Sequence, residues 1–144
     1  MVHKEPSPVR DDFPVLRPIT TRWADNDVYG HVNNVVYYAY FDTAVNGWLI
    51  EATRTDIRHL PAIGIVAETG CRFLAPLSFP DPVTAGLRLR HLGRTSVVYE
   101  IGLFRADDRD PAGLGHFVHV YVDRDTRHPV PVPDLIREAL ATLR

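Results

Sequence analysis

Two periodicities run along this chain. From Val32 to about Ala52, the residues Tyr38, Phe41, Val45, Trp48 and Ala52 recur at three- and four-residue steps, the spacing of one helical face. Val36, Tyr40 and Ile50 add apolar surface elsewhere on the circumference, so the pattern predicts a long helix wrapped by a curved sheet. After the polar connection "EATRTDIRHLPAIG" the pattern shortens to strand-like alternation in "IVAETGCRFLAPL", "DPVTAGLRLRHLG", "RTSVVYEIGLFRA" and "LGHFVHVYVDRDT". In the second of these, Val83, Ala85, Leu87 and Leu89 share one face, while Thr84, Arg88 and Arg90 share the other. The punctuation "FPDP", "LGRTS" and "DDRDPAG" supplies turns suited to antiparallel neighbours. Ahead of the helix, "VLRPITTRWAD" suits a first strand in which Pro18 favours an edge or an early position. At the other end Pro133 fits a first helical position, and Leu135, Ile136, Ala139 and Leu140 form a short amphipathic stripe. The expected order is strand, long helix, four strands, short helix, in one α+β domain over 13–144. Met1 to Asp12, with its prolines and charges, reads as a flexible lead-in.

Composition narrows the function classes. A chain of 144 residues has room for one domain with a core, and 45% hydrophobic with 24% charged residues is the balance of a globular protein. The net charge of −2 gives no basic footprint for nucleic acid. Nearly all the positive charge is arginine, Lys4 being the only lysine. Cys71 is the sole cysteine, so no intrachain disulfide forms. No signal-peptide core and no apolar run of membrane-spanning length appear, which makes a cytoplasmic location the simplest expectation, without membrane insertion.

The chemistry concentrates where the first strand meets the helix, in "RWADNDVYGHVNNVVYY". Asp25 and Asp27 stand two residues apart, followed by Gly30, His31, Asn33 and Asn34. Both acids suit turn and cap positions. Equally, an aspartate of ordinary pKa is ionised at neutral pH, and helix-opening N–H groups carry the positive end of the macrodipole. Gly30 lets the backbone swing from strand to helix. No second His or Cys with ligand spacing accompanies Asp25, Asp27 and His31, so the expectation is no metal. In "HFVH", His116 and His119 project to opposite faces of a strand and suggest no site. Ser96 lacks a Gly-x-Ser-x-Gly elbow.

With these residues in view, "WADNDVYGHVNNVVYYAYFDTA" resembles the 4-hydroxybenzoyl-CoA thioesterase-like branch of acyl-CoA thioesterases, which have the hotdog fold. That fold is a five-stranded antiparallel sheet wrapped around one long central helix. The family's Asp-x-Asp-x-x-Gly pattern falls on Asp25, Asp27 and Gly30. "CRFLAPLSFPDPV", with Phe73, Pro76 and Asp81, and "LGRTSVVYEIGLF", with Ser96, extend the resemblance over Val15 to Leu143. "GHVNN" is closer to plant acyl-ACP thioesterases and many bacterial relatives, and Val28 stands where the hydratase branch would have Pro.

The resemblance implies an acyl-CoA thioester hydrolase without a cofactor, acting as a homodimer or homotetramer with sites at subunit interfaces. It makes Asp27 the nucleophile or general base, leaves Asp25 structural, and gives the N–H of Ile63 or Gly64 as an oxyanion donor. Read from the residues themselves, His31 is open to three roles, orienting the acid, binding the acyl group or capping the helix. Gly30 allows a ligand to approach closely, Asn33 and Asn34 suit helix-start hydrogen bonding or holding the water, and Tyr37, with Tyr38 and Phe41, suits the core or the acyl tunnel. Arg90 and Arg94, with Arg72 and Arg88, would meet the phosphates of CoA. Two alternatives stay open: acyl carrier protein as the carrier, and a binding module that keeps the tunnel and hydrolyses nothing.

Overall fold

The computed structural model describes residues 7–144 and orders its elements as β1 (Val15–Ile19), α1 (Asn34–Thr53), β2 (Ala62–Phe73), β3 (Val83–Leu92), β4 (Ser96–Arg105), β5 (Gly113–Asp123) and α2 (Asp134–Leu140). The strands pair antiparallel into one sheet in the order β1-β3-β4-β5-β2. This is the architecture the sequence predicts, and Pro18 sits on β1, an edge strand, where a missing N–H costs no ladder bond. Pro133 falls one place earlier than expected, as the N-cap of α2. Among the described residues, no helix is long and apolar enough to cross a membrane.

Helix α1 buries Tyr37, Tyr40, Phe41, Ala44, Val45, Trp48 and Leu49. The stripe is rotated from the expected one: Tyr38 is half-buried and Ala52 exposed, while Tyr37, Tyr40 and Leu49 turn inward. The sheet covers one side of the helix only, so Val35 and Ile50 remain exposed. Close approach to β5 depends on glycine. A Cβ at Gly115 would lie 2.4 Å from the Phe41 ring, and one at Gly113 would lie 3.0 Å from Tyr37. Phe117, His119 and Tyr121 continue that helix-facing side of β5, and all three are buried.

On the opposite face of the sheet Phe13 packs edge-on to Phe104 at 5.7 Å beside Leu114. The backbone N–H of Arg10 donates to Arg109 O at 2.9 Å and its guanidinium to Ala106 O at 2.9 Å, and Arg10–Asp12 forms a single 3-10 turn. The flexible lead-in expected over Met1 to Asp12 is thus held down from Arg10 on, because Phe13 anchors it; its first six residues lie outside those described.

Candidate active site

The chain between β1 and α1 is built around Asp25. Its side chain is 1% exposed, and Oδ2 accepts from the N–H of Arg22 at 2.8 Å and from the Tyr40 hydroxyl at 2.7 Å. Oδ1 accepts from the Arg22 guanidinium at 3.0 Å. Burial pushes its pKa up, but the bonds from Tyr40 and Arg22 outweigh burial and hold the carboxyl below its usual range. The carbonyl of Asp25 accepts from Asn33 N–H at 2.8 Å, which closes the loop at the foot of the helix. All of these hydrogen bonds tie Asp25 to its own loop and to α1.

Asp27 is placed differently. Its Oδ1 accepts from the N–H of Tyr29 at 2.8 Å and of His31 at 3.4 Å, while its own N–H donates to His31 O at 2.8 Å. Among the described residues no donor reaches the other carboxylate oxygen, and the side chain is only part-buried. Gly30 takes φ +83°, a conformation that only glycine adopts without strain. Ser78 Oγ donates to Gly30 O at 2.7 Å, Val32 N–H to Leu77 O at 2.7 Å, and Phe79 N–H to Asn26 Oδ1 at 3.0 Å. The loop before β3 thus pins the loop that carries the acid.

Asp27, His31, Asn34, Tyr37, Phe73 and Ala75 line an open groove of about 410 Å³. Tyr37 meets Phe73 edge-on at 4.9 Å and its hydroxyl donates to Ala75 O at 3.5 Å, so it forms part of the groove wall. Helix α1 opens at Asn34, seven positions after Asp27 and later than anticipated, yet the folded-back loop returns its first turn to the same groove. Asn33 is the N-cap: its Oδ1 accepts from Val35 N–H at 3.1 Å and its carbonyl from Val36 N–H at 2.9 Å. The N–H of Asn34 has no acceptor among the described residues, and Asn34 lines the groove.

The remaining expected residues lie elsewhere in the subunit. Gly64 sits opposite Tyr121 and lines a second cavity, near the other end of β2 from Phe73. The N–H and carbonyl of Tyr121 are taken by Thr95 and Val130, so in this antiparallel ladder Gly64 turns its own N–H toward the free edge of the sheet. Arg90 falls in a bulge between Leu89 and His91, 3.8 Å from Glu100, and Arg88 is bonded to the same Glu100. Arg94 follows β3, its carbonyl accepting from Val132 and Arg137 near α2. The Asp27 groove lies by the loop at the opposite, Val83 end of β3, ten residues of roughly 3.3 Å each away. Within the chain, therefore, neither Arg90 nor Arg94 reaches the groove. Arg72 is exposed at the Phe73 end of β2, but it pairs with Leu114 and so projects from the sheet face opposite the groove.

The sequence reading assigned no site to His119. The alternation of Phe117, His119 and Tyr121 on one side of β5 was the available signal, because it places the imidazole on the aromatic, helix-facing side. Its Nδ1 is buried with no hydrogen-bond partner among the described residues. Burial pushes the imidazole pKa down to about 4, so the ring is neutral.

A family model described as the thioesterase-like superfamily matches residues 21–140. Among solved structures, the chain is similar to the PA5185 protein of Pseudomonas aeruginosa strain PAO1, with a TM-score of 0.93, 48% identity, and coverage of 96% of this chain and 97% of that one. The PA2801 protein of Pseudomonas aeruginosa, provisionally described as a thioesterase, gives a TM-score of 0.81 and 32% identity over 89% of this chain and 98% of that one. A thioesterase from Thermus thermophilus, solved in complex with coenzyme A and Zn, gives 0.77 and 29% over 92% and 96%. Among curated proteins nothing matches.

Proposed function

Because the chain belongs to the thioesterase-like superfamily and is accordingly a thioester hydrolase, we propose that its substrates are acyl-CoA thioesters and that Asp27 carries the hydrolysis. The observation that carries this reading is the asymmetry of the Asp27 carboxylate: one oxygen is fixed by two backbone N–H groups and the other is uncommitted at a groove. A carboxylate so held is oriented without being neutralised.

With the thioester carbonyl in the groove, the free oxygen of Asp27 attacks the carbonyl carbon or takes a proton from an attacking water. The N–H of Asn34 would donate to the developing oxyanion, helped by the positive end of α1. In the first route the C–S bond breaks to leave an Asp27–acyl anhydride that one water hydrolyses, regenerating the carboxylate. In the second the C–S bond of the tetrahedral adduct breaks and the proton held by Asp27 passes to the leaving sulfur. Either route consumes one water and gives a carboxylic acid and the free thiol of CoA. His31 stands on the groove wall, where its N–H helps orient Asp27. CoA as the carrier is supported by the coenzyme A bound to the Thermus thermophilus relative.

The site is completed by a second copy of the chain in this reading. Strand β2 leaves one edge unpaired among the described residues, and Ile65, Val66, Phe73 and Leu74 expose apolar surface along it. Such edges are usually paired or covered. Antiparallel pairing of two β2 edges about a two-fold axis would bring the Gly64 end of one beside the Phe73 end of the other. The Gly64 N–H, turned off the sheet edge, would then be offered to the neighbouring Asp27 groove as a second oxyanion donor. Release of free thiol from a panel of acyl-CoAs of graded length, aromatic members included, tests the activity; no thiol release from any member would contradict it.

A further inference from the structure

A second cavity, of about 280 Å³, lies between the sheet and the two helices. Asn46 and Leu49 of α1, Ile136 of α2, Gly64 of β2, and His119 and Tyr121 of β5 line it. Its shape depends on Gly64: a Cβ there would lie 3.1 Å from His119 Nδ1 and 3.2 Å from the Tyr121 ring. The missing side chain thus keeps open the space over the imidazole. His119 itself is 2% exposed, and its Nδ1 finds no partner among the described residues.

A buried polar atom left unpaired costs about 1–3 kcal/mol, a cost that a phenylalanine at this aromatic position would avoid. We propose that this cavity holds the far end of the acyl group and that His119 selects acyl groups carrying a hydroxyl there. The inference rests on the thioesterase reading and names the substrate class for it.

Three observations narrow the ligand to a neutral hydroxylated group. The cavity is nearly twice the size of one of about 150 Å³ that holds benzene, so a hydroxyaryl ring or an alkyl chain of similar bulk fits. The two cations on its rim are committed: Arg58 pairs with Asp56 at 2.8 Å, and Arg124 donates to the carbonyls of Leu60 and Arg58. A carboxylate at the acyl end would therefore be buried against a neutral ring, which is unfavourable. A hydroxyl both donates and accepts, so it satisfies Nδ1 in either tautomer of the imidazole. Pairing of two β2 edges would set the Gly64 rim of this cavity beside the Asp27 groove of the second copy, giving the acyl group a path from reacting carbonyl to His119.

The test compares acyl-CoA pairs that differ by one hydroxyl: benzoyl-CoA and its ring-hydroxylated isomers, phenylacetyl-CoA and its isomers, and hexanoyl-CoA and its ω-hydroxy derivative. At least one hydroxylated member should exceed its parent in kcat/KM by about tenfold or more. His119→Phe should bring the kcat/KM values of the two members of that pair to within about twofold of each other, and His119→Gln, which still donates and accepts, should retain part of the preference. Hydrolysis with no preference in any pair, or a preference unchanged in folded His119→Phe, would overturn the inference while leaving the thioesterase reading intact. Should no acyl-CoA be hydrolysed, that reading falls, and binding decides the subsite alone. Phenol should then raise the Tm of the intact protein more than toluene does, with the difference lost in His119→Phe; equal shifts would contradict the subsite.

Discussion

The hydroxyl of Tyr40, on the second turn of α1, donates to Oδ2 of Asp25 at 2.7 Å and so ties the helix to the loop that carries Asp27. Tyr40→Phe leaves a buried carboxylate short of a donor and should cost about 1–3 kcal/mol in chemical denaturation. Acid titration carries the same information. Asp25 has a folded-state pKa below its unfolded value, so its contribution is fully present above about pH 4 and is lost as pH falls through the lowered value. Without the Tyr40 bond that loss should begin at higher pH, and identical acid unfolding of parent and variant would contradict the assignment.

His119 gives a second dependence, of opposite chemistry. Its folded pKa of about 4 lies below the unfolded value near 6.5, so the unfolded chain binds the extra proton first as pH falls. Stability should be unaffected by this group above about pH 6.5 and decline between there and pH 4, by up to about 3 kcal/mol. In His119→Gln that component should vanish, as read from denaturation midpoints across the interval.

Assembly is tested along β2. Light scattering should give a dimer or larger at micromolar concentration, and Val66→Glu, placing charge among the exposed apolar residues of that edge, should weaken it. A monomer with full activity would remove the second copy from the site.

The carrier is tested by arginine. Arg72, at the groove end of β2, projects from the sheet face opposite the groove, so Arg72→Ala should leave KM and kcat little changed. Arg90 and Arg94 lie at the Gly64 end of the sheet, which β2 pairing would bring beside the groove of the second copy, so Arg90→Ala or Arg94→Ala should raise KM several-fold in a salt-sensitive way with little change in kcat.

Much of this arrangement was legible in the chain because local rules and tertiary structure agree. Pro18 reads as an edge residue and is one; the turn signals divide the strands where the sheet does; Asp25 and Asp27 mark the junction that carries the groove. What escaped depends on neighbours distant in sequence. The buried face of α1 is set by Gly113 and Gly115 on β5, which admit Tyr37 and Phe41 and rotate the stripe away from Tyr38. Arg90 and Arg94 have the right chemistry for phosphate, but strand β3 carries them away from the groove. His119 shows its burial by alternation, whereas its missing partner is visible only once Gly64 lies opposite Tyr121.

The central claim is that the uncommitted oxygen of Asp27 performs the chemistry, and Asp27→Asn tests it most directly. Asparagine retains an oxygen to accept from Tyr29 and His31 but removes the charge needed to attack or to take a proton. With folding and assembly confirmed to match the parent, kcat for the best acyl-CoA should fall by roughly two to four powers of ten while substrate binding is largely kept. A well-folded Asp27→Asn protein that hydrolyses the same acyl-CoA at the parent rate would contradict the account and leave Asp27 a turn residue.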